Sequence, residues 1–249
     1  MTDYTVNSDL PYSVIIFKNE EELSKAFCSA FKLAVASNKN KHFNIALSGG
    51  DTPKKIFKIL SSDYLDKIDW KKVRLFWGDE RCVPPENSES NYGAAKKLLI
   101  DRIALPEQNV FRIKGEEVPS WEAIRYADII KENVKRENDL PAFDLTMLGV
   151  GEDGHTASIF PDQMNLLHSD KICETAIHPE TRQTRITITG NVINNSKRIF
   201  FLVSGKNKAE ILKHILKNKD SKSLPAENIE AKNGTLHWYL DQDAAHFIK

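Results

Sequence analysis

Charge of neither sign is in excess: 35 Lys and Arg stand against 35 Asp and Glu in 249 residues. A general attraction to nucleic acid or to an anionic bilayer therefore has no support, and an anionic ligand has to be held by a local cluster. Cysteine is scarce. Cys28, Cys82 and Cys173 are widely spaced, no pair has metal-clamp spacing, and a disulfide framework is not expected. Reduced thiols in a reducing compartment fit that usage. No apolar run approaches the roughly 18 residues of a membrane span, and the opening stretch MTDYTVNSDLPYS lacks an apolar signal core. Repeats, low-complexity tracts and linkers rich in Gly, Pro or Ser are also missing. The expectation is a soluble, cytoplasmic protein with neither nucleic acid nor membrane as partner.

What is present is an alternation of short apolar runs and longer amphipathic ones. YSVIIF (12–17), FNIALS (43–48), VRLFW (73–77) and FDLTML (143–148) are predicted strands, as are RITIT (185–189), IFFLV (199–203) and LHWYL (236–240). Several are nearly all apolar, as when helices cover both faces of a parallel sheet. Leu23, Phe27, Phe31 and Val35 recur every four residues and predict a helix over 19–37. Further helices are predicted at 53–60, 90–103, 120–138 and 206–217. The alternation implies an α/β fold: a doubly wound, mostly parallel sheet with helices on both faces, Rossmann-like. One domain spans 1–249. A subdomain edge is placed at 105–120, with any small subdomain confined to about 105–140. The lysine-rich run 206–222 reads as a solvated helix face, because Ile211, Leu212, Ile215 and Leu216 supply an apolar stripe.

In open α/β sheets ligands bind beyond the carboxyl ends of the strands, so the segments after each strand carry the chemistry. FNIALS is followed by Gly49-Gly50-Asp51-Thr52-Pro53. Its glycines permit a tight turn, Thr52 is the expected N-cap, and Pro53 suits the first helical position. Ser48, the glycines and Thr52 then offer donors to a phosphate at a helix start; a plain strand–turn–helix corner is the alternative. The Gly-Lys-Ser/Thr element of a Walker loop and the spacing of a nucleophile elbow are both absent. VRLFW is followed by Gly78-Asp79-Glu80-Arg81. Arg81 suits a bidentate phosphate contact, and Asp79 and Glu80 suit positioning Arg81 or a sugar hydroxyl; the alternative is a surface ion cluster.

FDLTML is followed by Gly149-Val150-Gly151-Glu152-Asp153-Gly154-His155. The Gly-x-Gly-x-x-Gly spacing matches a dinucleotide turn, and Glu174 lies 20 residues beyond Gly154. Pro161, however, cuts the next segment too short for a crossover helix. The other reading makes His155 a general base held at the ligand edge of the sheet, with Asp153 orienting the imidazole and stabilising its protonated form. The remaining histidines (42, 168, 178, 214, 237 and 246) read as structural. Arg185, which opens RITIT, and Lys208, after SGK, are further cations able to close on an anion, or surface charges.

The segments SGGDTP (48–53), FWGDERCVPPENSESNYGAAKKLL (76–99), FDLTMLGVGEDGHTASIFP (143–161), RITIT, FFLVSGKNKAEIL (200–212), LPA (224–226) and LHWYLDQDAA (236–245) occur in order. Together they resemble the 6-phosphogluconolactonases of the glucosamine-6-phosphate isomerase/6-phosphogluconolactonase family, from about residue 43 onward. The related glucosamine-6-phosphate deaminases share the SGG turn and the DGH loop. They continue with an IAFNEP-like run and carry a tyrosine in place of Arg81, whereas this chain reads TASIFP and DER. Asp51 departs from the small or basic residue usual in the family. The resemblance implies hydrolysis of 6-phospho-D-glucono-1,5-lactone to 6-phosphogluconate, the second step of the oxidative pentose phosphate pathway. A deaminase, or a non-catalytic sugar-phosphate sensor of the same fold, remains the alternative. In the implied reaction His155 deprotonates a water that attacks the lactone carbonyl and then returns the proton to the departing ring oxygen. Backbone N–H groups of the glycine turns serve the developing oxyanion, and Gly151 is counted among the substrate-binding residues. Ser48, Gly49, Gly50 and Thr52, with Asp79, Arg81, Arg185 and Lys208, hold phosphate and sugar. No cofactor or metal is called for, and a monomer or weak dimer is expected.

Overall fold

The structure, a computed structural model, describes residues 12–217 and 223–248. The leaderless N-terminal stretch expected from the sequence lies largely outside these residues, as do residues 218–222 of the lysine-rich run.

In chain order the first elements are β1 (Ser13–Phe17), α1 (Glu20–Ser37), β2 (Phe43–Leu47), α2 (Asp51–Asp63) and β3 (Val73–Trp77). They are followed by β4 (Asp79–Arg81), α3 (Asn91–Leu98) and α4 (Pro119–Asn133). A small hairpin, β5 (Arg136–Glu137) and β6 (Leu140–Pro141), leads to β7 (Leu145–Leu148), β8 (Cys173–Ile177) and β9 (Thr184–Ile188). The chain closes with α5 (Gly190–Asn194), β10 (Arg198–Val203), α6 (Ala209–Lys217) and β11 (Thr235–Asp241). The main sheet has the order β1-β11-β10-β7-β2-β3, and every pairing is parallel. All residues of β2 and β7 are buried, which is why these strands are largely apolar, with Asn44 and Thr146 the polar exceptions. α1 is fixed by Asn19, whose side chain accepts from the Glu22 N–H at 3.0 Å, with Glu20, Glu21 and Glu22 against the positive end of the helix. Its Leu23, Phe27, Phe31 and Val35 enter the core.

The order of the strands determines where a ligand fits. From β2 the chain moves outward to β3; from β7 it moves the opposite way, through β10 to β11. Neighbours β2 and β7 therefore flank the switch point, and their carboxyl ends open a crevice that no crossover covers. The SGG turn and the GVGEDGH loop leave from those two ends.

Three differences from the sequence reading have physical causes. RITIT pairs antiparallel in a separate sheet of order β4-β9-β8, not in the parallel sheet. The connection 178–183 from β8 is too short for the crossover a parallel partner requires, so the chain returns antiparallel. The helix expected over 120–138 ends at Asn133, and the chain turns through Asn138 (φ 52) and Asp139 (φ 62), a left-handed pair that suits a tight hairpin. Gly50 (φ 101), not Thr52, caps α2. α4, within the 105–140 segment, packs on β8 and β9, and its Ala123, Tyr126 and Ile130 belong to the common core.

Candidate active site

Gly78 joins the two sheets. Its N–H donates to the Leu47 carbonyl at 2.8 Å, and its own carbonyl accepts from Ile188 at 2.8 Å. β4 thus leaves the main sheet after one residue and lies beside β9, bringing Arg81 directly opposite Arg185. Like charges facing one another across a strand pair are destabilising unless an anion sits between them. Arg185 is 8% exposed. Its Nε donates to Gln183 at 3.3 Å and its guanidinium lies 5.7 Å from the centroid of the Phe160 ring. Burial, and then the Arg81 charge, hold the Arg185 guanidinium below its usual range. Arg81 donates to the Glu89 carbonyl at 2.8 Å, while its buried Nε has no partner among the described residues. Asp79, Glu89 and Glu80 offset the Arg185 charge from a distance, but among the described residues neither arginine forms an ion pair with a carboxylate.

Glu80 is buried and structural. Its carboxylate accepts the N–H groups of Arg81 (2.8 Å), Asn91 (2.8 Å) and Tyr92 (2.7 Å) and the Ser90 hydroxyl (3.1 Å). It thereby ties β4 to the first turn of α3. Burial outweighs these bonds and pushes its pKa up to about 6. Asp79, also buried, accepts from Ser158 Oγ at 2.7 Å and from Asn91 Nδ2 at 3.3 Å.

The GVGEDGH loop closes on itself. Gly151 donates to the His155 carbonyl at 2.9 Å, Gly154 (φ 83) to Gly151 at 3.0 Å, and Thr156 Oγ1 to Gly149 at 2.9 Å. Ala226, in the LPA segment, donates to the Gly154 carbonyl at 3.1 Å. Within this frame His155 Nδ1 lies 2.6 Å from Asp153 Oδ1, which also accepts the His155 backbone N–H at 3.1 Å. An ionised Asp153 is acceptor-only, so in the neutral imidazole the proton sits on Nδ1 and the lone pair on Nε2. Partial burial raises the Asp153 pKa, but the hydrogen bond and charge of His155 more than reverse this and leave it below the ordinary value. The imidazole rests on Gly151, where any Cβ would overlap it, and lies 4.8 Å from the Phe160 ring, centroid to centroid. The dinucleotide reading finds no crossover helix: Pro161–Leu167 is 3-10, and Glu174 pairs with Ser169 and Lys171.

His155 and the arginine pair face one cavity of about 200 Å³, with Asp153 behind the imidazole and outside the lining. Ser48, Gly49, Gly50, Asp79, Arg81, Gly151, His155, Arg185 and Lys208 all line it. Gly50 caps α2 without a side-chain bond, which leaves first-turn N–H groups of the helix open toward an anion. Lys208 reaches the cavity from the loop after β10, which is held where the Gly205 N–H meets both oxygens of Asp241 at 3.1 and 3.2 Å. Thr52 is not among the lining residues. Its hydroxyl is bound by Glu20 (3.0 Å) and Ser204 (2.8 Å), so it fastens the SGG turn to the β10 loop. Asp51 points away; its side chain is 95% exposed and pairs with Lys54. That removes the electrostatic objection to a carboxylate beside a phosphate turn. Asn91 also lines the cavity and was missed from the sequence, because an Asn after a Ser at a helix start reads as part of a cap. A larger groove of about 350 Å³ beside α4 is lined by Lys131, Arg136 and Lys171. Those cations are already bonded to Asp128, the Asp139 carbonyl and Glu174. Among the described residues no cluster fit for a metal occurs, and no helix is long and apolar enough to cross a membrane.

The sequence model of the glucosamine-6-phosphate isomerases/6-phosphogluconolactonases matches residues 18–238. The chain belongs to this family. The 6-phosphogluconolactonase of Haemophilus influenzae is 42% identical over 221 residues, covering 88% of this chain and 93% of the relative. Among solved structures, one described as devB protein superposes with a TM-score of 0.91 at 41% identity, covering 95% of this chain and 99% of the other. The 6-phosphogluconolactonase of Leishmania guyanensis gives a TM-score of 0.84 at 25% identity, covering 96% and 99%. In family terms, the lactonase-type DER and TASIFP segments of this member are the ones that build the Arg81/Arg185 pair and the wall behind His155.

Proposed function

We propose that this chain is a 6-phosphogluconolactonase, hydrolysing 6-phospho-D-glucono-1,5-lactone to 6-phosphogluconate. The observation that carries the reading is the meeting of two unlike devices in one small cavity: an Asp-oriented imidazole and a cross-strand arginine pair. One suits proton transfer at a carbonyl, the other a phosphate.

Arg81 and Arg185, with Lys208 and the open N–H groups around Gly50, hold the phosphate. Binding energy at that end sets the lactone carbonyl against His155. Nε2 takes a proton from a water molecule as the water oxygen bonds to C1. The carbonyl electrons move onto oxygen, where N–H groups of the glycine turns receive the charge. Asp153 stabilises the imidazolium for the life of the tetrahedral adduct. Collapse re-forms the carbonyl, breaks the bond from C1 to the ring oxygen, and returns the Nε2 proton to that oxygen. The carboxylic acid formed then ionises in water. The three free cysteines support a reducing, cytoplasmic setting, and burial pushes the thiols of Cys28 and Cys82 up, to about 12 and about 11. The protein acts as a monomer or weak dimer.

The test generates the short-lived lactone by oxidising glucose 6-phosphate and follows its loss. Purified protein accelerates opening far beyond the spontaneous rate and releases no ammonia from glucosamine 6-phosphate. Spontaneous-rate opening at micromolar protein contradicts the proposal.

A further inference from the structure

The cavity has two chemically different walls. Arg81, Arg185 and Lys208 are donors, and the proposed reaction uses them all. The opposite character belongs to Asp79 and Asn91, which the reaction as written does not use. Asn91 is 4% exposed and is the first residue of α3. Its backbone N–H is held by Glu80 at 2.8 Å, and its Nδ2 donates to the Asp79 carbonyl at 3.0 Å and to Asp79 Oδ1 at 3.3 Å. Both of those partners are acceptors, so the amide orientation is decided: nitrogen toward Asp79, oxygen away from it. Oδ1 then lies against Gly49, where an added Cβ would collide with it. Among the described residues nothing donates to this oxygen. It is not one of the sealed, unpartnered polar atoms either, although the side chain lines the cavity. An acceptor held rigidly at a cavity wall, with its own donor already spent, selects for a donor on the ligand.

The geometry points to Asn91 as a specificity-determining residue that accepts a hydrogen bond from a ring hydroxyl of the substrate through Oδ1. The inference rests on the lactonase reading, since the 1,5-lactone ring carries free hydroxyls at C2, C3 and C4. Gly49 and Gly151 then play matching parts in the loops after two neighbouring strands, one as a seat for the substrate-reading carboxamide and the other for the imidazole. The cation end fixes where the phosphate sits; Asn91 fixes which face and substitution pattern of the ring are accepted. A site built to receive a hydroxyl rejects the analogue lacking it more strongly than a merely snug pocket would.

The test measures kcat/KM for wild type and Asn91→Ala on the parent lactone and on the lactones oxidised from 2-deoxy-, 3-deoxy- and 4-deoxyglucose 6-phosphate. Asn91→Ser, which keeps a polar residue at the helix start, repeats the comparison should Asn91→Ala not fold. Expected for the variant is a loss of about tenfold on the parent, carried mainly in KM, the size of one hydrogen bond. The same loss appears when wild type is given one of the three deoxy lactones, and on that lactone alone wild type and variant become equal. A variant as active as wild type on the parent, or one whose loss is the same on all four lactones, overturns the inference. An inactive wild type sinks the lactonase reading and this inference with it, and so is told apart from either.

Discussion

The two glycines at 149 and 151 stand in one motif, yet the structure separates them sharply. A Cβ added at Gly151 would fall on the Nδ1 and Cε1 atoms of His155 and on Asp153 Oδ1, while one added at Gly149 meets nothing within 4 Å. Neither glycine is in the left-handed region, so alanine brings no backbone strain at either position. A Cβ there would sit 2.1 Å from Nδ1, so in Gly151→Ala the imidazole must retreat by more than about 1 Å to regain ordinary van der Waals separation. It has room to do so, because its side chain is 24% exposed. The fold therefore survives while the base is misplaced. A displacement of about 1 Å at a reacting group costs on the order of 100-fold, or about 2.7 kcal/mol of barrier. The assay is steady-state lactone hydrolysis with a melting curve of each variant. Gly151→Ala should lose about 100-fold in kcat with KM within about twofold and little change in melting temperature, and Gly149→Ala should match wild type. An active Gly151→Ala, or equal damage from both, would refute the seating of His155 on Gly151.

Glu80 makes a stability prediction with a definite sign. Its folded pKa of about 6 lies above its ordinary 4.5, so the folded state binds this proton more readily than the unfolded state. The stabilisation is fully present below about 4.5 and is lost as pH rises through about 6, amounting to about 2 kcal/mol. Urea melts of wild type and Glu80→Gln at pH 7 and pH 5 should show wild type gaining on the variant as pH falls; a constant difference would contradict this. Arg185→Met should raise KM at least about tenfold by removing a phosphate partner. Without phosphate it should melt no lower than wild type, and about 2–4 °C higher if relief of the Arg81 repulsion contributes about 1 kcal/mol. Saturating inorganic phosphate should then stabilise wild type but not Arg185→Met, and an equal response of the two would count against the arginine pair as the anion site.

Much of this arrangement was legible from local pattern. The four-residue spacing of Leu23, Phe27, Phe31 and Val35 specifies the buried face of α1, and the nearly all-apolar runs of β2 and β10 mark interior strands of a parallel sheet. Strand–turn continuity placed Ser48, Gly49, Gly50 and His155 at the ligand edge, because each follows a strand within a few residues. What escaped depends on contacts distant in the chain. Thr52 looks like a cap locally, but its hydroxyl is bound by Glu20 and Ser204, 32 and 152 residues away. β4 is three residues long, too short for any periodicity, so the cross-strand meeting of Arg81 and Arg185 had no local trace. Asn91 is drawn in by Glu80 and Asp79 across a loop, and its one sequence cue was its place inside the DER-to-SNYG segment.

The central claim is that His155 is the proton-transferring group in a preformed phosphate site. It is tested most directly by His155→Ala, with kcat measured on the freshly generated lactone and 6-phosphogluconate binding measured alongside. Removing a positioned general base predicts a fall in kcat of about 10²–10⁴-fold with product affinity within a few-fold of wild type. A variant that turns over at the wild-type rate would contradict the claim.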